Sequence, residues 1–449
     1  MSIIAIDCGA SFIKAAKLSN DFVTVEQQIL YRTSEIVSVI DQKDNTLPQQ
    51  LKNTISAVKK SILNLTEEGD AICLGVCNEM HGFVLTNHNL MPYTDYVSWQ
   101  KDYILEEHND FETWQQFLQS RITKEDIQKT GMPFKPGLPS GNMAYLLQSN
   151  CIAADSREML FFTLGDFIVS WMSGQVSEIH PTNAAASGLY DLTKKDWNWK
   201  LIRDLQLGDI QFPKVYHQSA PLFFQWRGRK IQMYPALGDQ QAALLGAGLH
   251  NDGQLSVNMG TGAQVSILSN TIEFSDVFQT RPYFENQYLF TVPHIPSGRA
   301  LNVFFGFVKQ IADKYQHKSI SDDDIWKWIN EEAGKIERGT LEIDLSFFSN
   351  AITKRTAGSI QNIGEDQFTI GNLFLSIYQQ MGANVFECVH RICKDTRLIN
   401  EVIFSGGVVR KNKILREYIA KYFGTTMMNV VQNETFLGIA QYMKSHIMK

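Results

Sequence analysis

Apolar and polar positions fall into short blocks from the first residues onward. Ile3 to Leu18 reads IIAI-DCGAS-FIKAAKL, two apolar runs around a small polar turn, which predicts a β-hairpin. Gly253 to Leu268 reads GQLSVN-MGTG-AQVSIL and predicts a second hairpin of the same build just past the midpoint. The recurrence of strand, glycine turn and strand predicts two related α/β domains, each opening with a hairpin, with a boundary near Gly246–Gly253. In the first half, apolar runs predict strands at Ala71–Val76 and Phe83–Leu85, and helical spacing marks Gln49–Asn64, Asn142–Gln148 and Thr163–Met172. Thr123–Gly141 is polar, holds three prolines and reads as loop and short helix. In the second half, Leu373–Cys393, Lys413–Tyr422 and Glu434–Lys444 predict helices, and Glu401–Phe404 a strand that feeds Gly406-Gly407. The longest apolar stretch, MLFFTLGDFIVSWM from Met159 to Met172, is too short to cross a bilayer and contains Asp166, so it predicts a buried helix.

Composition narrows the class. At 449 residues the chain exceeds a single core, in agreement with two domains. Hydrophobic residues make up 44% and charged residues 20%, as in soluble globular proteins. A net charge of −6 and a pI near 6.0 give no electrostatic reason to expect nucleic acid or an anionic membrane as partner. The six cysteines (8, 73, 77, 151, 388 and 393) form no C-x-x-C pair, which argues against structural zinc and predicts a reducing, cytoplasmic setting. Met1 leads straight into a strand-like run, without the basic segment and apolar core of a signal peptide. A monomer or homodimer is expected.

Candidate chemistry gathers around ALGDQQAALLGAG, Ala236 to Gly248, where Asp239 follows a glycine and opens a small-residue helix. Asp is a common helix cap, yet a carboxylate at a loop–helix junction is also held rigidly enough for catalysis. Asp7-Cys8-Gly9-Ala10-Ser11, with Lys14 on the return strand, is a turn whose backbone N–H groups and Ser11 hydroxyl could approach phosphate oxygens, while Asp7 could hold magnesium through water. Met259-Gly260-Thr261-Gly262 is the matching turn of the second hairpin. Each turn alone reads equally well as a plain hairpin; their corresponding places in two repeats favour phosphate binding. Ser405-Gly406-Gly407-Val408, followed by Asn412, forms a strand–Gly-Gly–helix junction on which a flat nucleoside could lie. Glu79-Met80-His81-Gly82 places a carboxylate and an imidazole where they could bond sugar hydroxyls, and Trp99, with Asp102 nearby, offers an apolar face. A lone histidine or tryptophan is more often a core residue.

Together these motifs resemble the FGGY family of carbohydrate kinases, of the actin, hexokinase and Hsp70-like superfamily. The likeness runs from Ile3 to about Lys444: ALGDQQAALLGAG resembles the catalytic segment, EMHG the Q-M-H-G segment of ketose kinases, VSWQ (97–100) the W-Q-D-x-R region, TNAAASGLYDL (182–192) the segment that follows it, SGGVVRKN the adenosine loop, and ETFLGIA (434–440) the E-A-x-x-L-G-A helix. Within the family the nearest likeness is to sedoheptulokinases, on EMHG, SWQ, LGDFIVSWMSGQ, NAAASGLYD, ALGDQQA and RPYFENQYL, with xylulokinase-like enzymes next. The resemblance implies an α/β fold of two actin/hexokinase-like (ribonuclease H-like) domains flanking an ATP/sugar cleft. Residues 1–247 would carry the sugar site, the first phosphate loop and the base, and residues 248–449 the second phosphate loop and the adenosine loop. It implies ATP and Mg2+ as cofactors and Asp239 as general base and, with Asp7, metal-site carboxylate. Glu79, Met80, His81, Trp99, Asp102 and Gln240 would bind the sugar, and Gly9, Ser11, Lys14, Gly260, Thr261, Gly262, Gly406, Gly407 and Asn412 the nucleotide.

Three departures keep the substrate open. Glu79 stands where ketose kinases carry Gln, Lys101 where W-Q-D expects Asp, and Ala10-Ser11 where two hydroxyl residues are usual. The expected activity is phosphorylation of a small-sugar hydroxyl, most readily a ketose such as sedoheptulose. A xylulose, gluconate, glycerol or other polyol kinase is the alternative within the class, and a non-catalytic sugar or nucleotide sensor the alternative outside it. A DNA-binding regulator is disfavoured, because Ile3 already lies in the first strand.

Overall fold

The computed structural model describes residues 1–35, 38, 40–152, 159–216, 220–315 and 320–447. Its frame is one strand pattern built twice. In the first sheet, Ser2–Cys8 pairs antiparallel with Phe12–Leu18, which pairs antiparallel with Val25–Arg32. On the other side of Ser2–Cys8, Ala71–Asn78 and then Arg229–Met233 add in parallel, and Leu222–Trp226 closes that edge. In the second sheet Gln254–Met259, Ala263–Ser269 and Tyr288–Ile295 form the antiparallel trio, and Glu401–Ser405 and Met428–Val430 the parallel pair. Gln279–Pro282 adds at the edge of this second sheet. Both expected hairpins therefore open homologous five-strand units.

Helix spans follow the apolar spacing closely, with helices at Gln49–Leu65, Ile370–Ile392, Lys413–Tyr422 and Glu434–Ile447. One expectation needs correcting. Met159–Met172 is not a single helix: Met159–Phe162 is a strand and Leu164–Ser173 a helix. Thr163 divides them, its hydroxyl accepting the Asp166 N–H as an N-cap. Bulky Leu and Phe residues before the cap suit a buried strand. Among the described residues no helix is long and apolar enough to cross a membrane.

The short Asp239–Gly246 helix lies between the two sheets. Ala242 packs into the cluster that covers one face of the first sheet, with Ile3, Ala5 and Cys73, and Leu244 into the cluster on the second sheet, with Leu268 and Ile403. The last helix, Glu434–Ile447, crosses back and buries Phe436, Ile439, Ala440 and Met443 against the first sheet. Where these helices meet, their backbones nearly touch. A Cβ on Gly246 would lie 1.8 Å from the Glu434 carbonyl oxygen, and one on Gly438 1.8 Å from that of Ala242. Only glycine fits at either position.

Gly438→Val should therefore force the two helices apart and lower stability by about 1–3 kcal/mol or more. Denaturant unfolding monitored by circular dichroism measures this, and an unchanged midpoint would contradict the close crossing.

Candidate active site

Three carboxylates are delivered by three neighbouring strand ends. Asp7 is the penultimate residue of the first strand, and Glu79 follows the parallel strand Ala71–Asn78. Asp239 follows Leu237-Gly238, which pairs with Cys77-Asn78 of that same strand. The carboxyl ends of parallel strands are where open α/β sheets hold their ligands.

Asp239 is the first residue of its helix, with one carboxylate oxygen accepting the Gln240 N–H at 2.7 Å. Burial pushes its carboxyl up to about 7, with Asp7 and Glu79 adding to the rise and the Gln240 N–H and Arg281 opposing it. The preceding loop is held by buried polar groups. Asp166 accepts the Ala236 N–H at 3.0 Å, Asn183 donates to the Ala236 carbonyl at 3.0 Å, and Thr182 Oγ1 accepts the Gly238 N–H at 3.0 Å. Asn183 also donates to Asn78 Oδ1 at 2.9 Å, tying this loop to the strand that carries Glu79. Asp166, Thr182 and Asn183 were not among the expected site residues; TNAAASG was singled out only as a segment.

Asp7 is paired across the hairpin with Lys14, Nζ to Oδ2 3.3 Å, and takes the Cys77 thiol at 3.5 Å. Burial pushes the Cys77 thiol up, so it stays protonated and donates. Asp7 lies close enough to Asp239 to raise its pKa, a repulsion that a cation would relieve. Two carboxylates with room for water and substrate phosphates are a donor set suited to magnesium, which keeps most of its hydration shell.

Glu79 is bound by two aromatic side chains. It is 5% exposed, and its two oxygens accept from the Tyr96 hydroxyl at 2.8 Å and from Trp99 Nε1 at 2.9 Å. Burial raises its pKa, while these two bonds oppose the rise. These two bonds tie the Glu79 carboxylate to the orientation of the Trp99 ring. Gly82 is required by the same contact, since a Cβ there would lie 1.9 Å from the Tyr96 oxygen. Trp99, 47% exposed, is left with its indole tethered and its surface open. His81 has a left-handed backbone, φ 66°, and its Nδ1 bonds the Ala186 carbonyl at 2.7 Å. Nδ1 therefore carries the proton and Nε2 is an acceptor. Burial, with Arg281 and Lys135 nearby, lowers this imidazole to about 3 and keeps it neutral. Asp102 is exposed at the start of a short 3-10 turn and makes no hydrogen bond to this cluster.

The second half adds Arg281, which the sequence reading quoted within RPYFENQYL without a role. Its guanidinium is 6% exposed and donates to Gln240 Oε1, to Gln279 Oε1 at 2.5 and 3.0 Å, and to Met80 Sδ at 3.3 Å. Arg281 thereby joins Met80 and Gln240 across the two halves.

Most of the remaining expected residues lie along the second sheet. Gly260, Thr261 and Gly262 form the tight turn of the second hairpin, with Gly260 N–H donating to the Gly262 carbonyl at 3.0 Å. The Gly298–Tyr315 helix starts against it, as the Gly298 and Arg299 N–H groups donate to the carbonyls of Gly260 and Thr261 at 3.0 and 2.9 Å. A Cβ on Gly260, Gly262 or Gly407 would meet no protein atom within 4 Å, so these glycines keep an open cradle rather than relieve packing. Gly406 is different: φ is 90°, and a Cβ would lie 2.5 Å from the Met259 carbonyl oxygen. It docks the Gly406-Gly407 segment on the second hairpin. Asn412 is buried and its side-chain oxygen caps the Lys413–Tyr422 helix, accepting the Leu415 N–H at 3.0 Å. In the first turn Gly9 N–H donates to the Phe12 carbonyl at 3.0 Å, and Ser11 is exposed.

The fold is thus a duplicated five-strand α/β unit, with carboxylates at the carboxyl ends of strands in the first sheet and a glycine turn in each hairpin. The profile of the FGGY family of carbohydrate kinases, N-terminal domain, matches residues 2–246. The chain belongs to that family. A glycerol kinase from Marinomonas sp. (strain MWYL1) is 28% identical over 229 residues, covering 48% of this chain and 44% of that protein. The chain thus matches less than half the length of this curated relative. In fold, a gluconate kinase from Lactobacillus acidophilus superposes with a TM-score of 0.79 at 15% identity, covering 100% of this chain and 90% of that one. A ligand-bound xylulose kinase from the same organism gives 0.79 at 16%, covering 100% and 89%.

The raised Asp239 carboxyl has a consequence for stability. Its folded pKa lies near 7 against an ordinary 3.8, so the folded state holds the extra proton between these values and loses stability as pH rises through that window. Asp239→Asn removes the buried charge. In metal-free buffer the variant should melt above wild type at pH 8, with the gap closing as pH falls towards 4; a gap that widens on acidification would contradict this.

Proposed function

We propose that the chain is an ATP-dependent kinase that phosphorylates a hydroxyl of a small carbohydrate, with Asp239 as general base. The observation that carries this reading is the Asp239 carboxyl itself, held by its loop at a strand end with a pKa near 7. That value suits a group that must accept a proton at neutral pH and release it afterwards. A bond forms between the acceptor oxygen and the γ-phosphorus of ATP while the bond to the β,γ-bridging oxygen breaks. The hydroxyl proton passes to Asp239, and ADP leaves. Catalysis of this kind consists mostly of alignment and charge neutralisation.

The chain's own groups divide this work. Trp99, tethered by Glu79, presents the face on which the sugar's C–H groups stack, and His81 Nε2 accepts from a hydroxyl. Glu79 acts on the sugar through Trp99 rather than by direct contact. Gly260–Gly262 and Gly406-Gly407 form the open backbone cradle for the phosphates and nucleoside. Gly9, Ser11 and Lys14 are assigned to the facing phosphate loop. Asp7 and Asp239 are the carboxylates that would hold Mg2+ through water, and the ion when bound neutralises phosphate charge. Residues 1–247 act as the sugar domain and 248–449 as the nucleotide domain, with the last helix anchoring the second on the first. The E-M-H-G segment favours a ketose such as sedoheptulose among the family's acceptors, and the unpaired cysteines suit a cytoplasmic setting.

A coupled assay for sugar-dependent ADP release, run over sedoheptulose, D-xylulose, D-ribulose, gluconate and glycerol with ATP and magnesium, tests the reading. Asp239→Asn should lower kcat by roughly 100- to 10,000-fold. In wild type, kcat should fall about tenfold per pH unit below about 7, as the base becomes protonated. A folded Asp239→Asn protein with near-normal turnover would overturn the assignment. Glu79→Gln leaves one oxygen to face two donors, and should raise KM for the sugar more than it lowers kcat. An unchanged KM would return Trp99 to a merely structural place.

A further inference from the structure

Three polar contacts tie the second half of the chain to the first turn of the Asp239–Gly246 helix. Gln240 Nε2 donates to Thr291 Oγ1 at 3.5 Å and Gln241 Nε2 to the Pro282 carbonyl at 3.4 Å, both long contacts between neutral groups. The third is Arg281, whose guanidinium donates to Gln240 Oε1. A hydrogen bond from an ionised donor is roughly twice as strong as a neutral one, so this contact dominates. Both polar ends of the Gln240 side chain are therefore held from the second half, the oxygen by Arg281 and the nitrogen by Thr291. Thr291 is itself braced by the Ser266 hydroxyl at 2.9 Å. Arg281 arrives already aimed. It stands on the edge strand Gln279–Pro282, and Gln279, two residues back, lies on the same face. Gln279 Oε1 accepts from Nε at 3.0 Å and from Nη2 at 2.5 Å, which fixes the guanidinium and leaves Nη1 to cross between the halves. Nη1 meets Gln240 Oε1 and Met80 Sδ, the latter at 3.3 Å. Both Gln279 and Arg281 are buried. Leucine would fill this space and hold neither amide, and the single ammonium of lysine lacks the planar fork that holds Gln279 and Gln240 in fixed directions.

What Arg281 holds is the neighbour of the base. The Gln240 N–H donates to Asp239 Oδ1 at 2.7 Å, so the residue that orients the Asp239 carboxylate is the residue whose side chain the second half clamps. We propose that Arg281 is a positioning residue that transmits the placement of the second half to Asp239 through Gln240, and that Gln279 sets the direction of its guanidinium. A shift of one half against the other moves Gln240 Oε1, and with it the N–H that orients the base. The Met80 contact carries the same constraint to the segment that precedes His81. The base is thus in place only when the half that bears the Gly260–Gly262 turn is in place, which disfavours transfer to water from an open cleft. The proposal rests on the kinase reading for the rate it predicts, but not for the restraint on Gln240.

A double-mutant cycle on Arg281→Met and Gln240→Leu tests the path. Alone, Arg281→Met should lower kcat at least about tenfold, within the range that a misplaced reacting group costs. In the Gln240→Leu background, where no amide is left to clamp, the same substitution should lower kcat less than about twofold. Equal losses in both backgrounds mean that Arg281 acts elsewhere and overturn the proposal. Arg281→Lys keeps the charge without the fork and should remain close to Arg281→Met; full activity in the lysine variant would likewise overturn it. Hydrogen exchange in the ligand-free protein reads the restraint without turnover, and unchanged protection of the central strands of both sheets shows that each variant is folded. Amides of 236–241 should exchange faster in Arg281→Met than in wild type, and at the same rate in Gln240→Leu as in the double variant. Unchanged exchange of this segment in a folded Arg281→Met protein overturns the restraint. If no acceptor yields ADP, the kinase reading fails, and the exchange rates alone decide the role of Arg281.

Discussion

Everything at the site depends on how closely two helices can approach. Asp239–Gly246 must lie between two sheets that each demand an apolar partner, and a helix with large side chains would hold them apart. Its Ala242 and Gly246, facing Gly438 on the last helix, bring backbone against backbone. That approach lets one helix seal both sheets and fixes where its first residue sits. The small-residue run in QQAALLGAG is therefore a packing device whose product is the position of Asp239. Dispersion between closely spaced backbones and the exclusion of water hold the contact, and no polar group has to be sacrificed to make it.

The electrostatics follow from that placement. Asp239 is surrounded by Asp7 and Glu79, both of which raise its pKa, and by Arg281, which lowers it. Glu79 is satisfied by Tyr96 and Trp99 and Asp7 is paired with Lys14. Asp239 alone among the three accepts only a backbone N–H of its own helix. The carboxylate with the fewest partners is the one free to exchange a proton. Around it, the buried polar network of Asp166, Thr182, Asn183 and Asn78 fixes the loop without supplying charge to Asp239 directly. Burial raises Asp166 to about 7 as well, against the bonds from Thr163, Ala236 and Asn183 that lower it.

Much of this was legible from local pattern. Period-two apolar runs with a glycine turn specify a hairpin wherever they occur, and a repeat of that unit can be seen without knowing its partners. Helix spans such as Lys413–Tyr422 were equally legible, because one apolar face and a capping Asn412 define them. The Met159–Met172 run was misread because its apolarity is continuous, so spacing does not separate strand from helix; only the cap at Thr163 does. The role of Glu79 was hidden for a different reason. Its partners lie 17 and 20 residues onward, and nothing local shows that Tyr96 and Trp99 fold back onto it. Arg281 was hidden still more deeply, since it reaches Gln240 and Met80 only through the pairing of a distant strand.

That distinction explains why family membership and substrate separate so cleanly in this chain. The motifs that identify the family lie on strand ends and helix starts, where geometry recurs with the fold. Loops and edge strands vary more freely, because their positions can carry any charge the backbone tolerates. Relatives with the same fold bear names as different as glycerol, gluconate and xylulose kinase. Selectivity among such acceptors has to come from groups that one substrate satisfies and another leaves unpaired, because methylene-scale fit alone discriminates only about 10- to 200-fold.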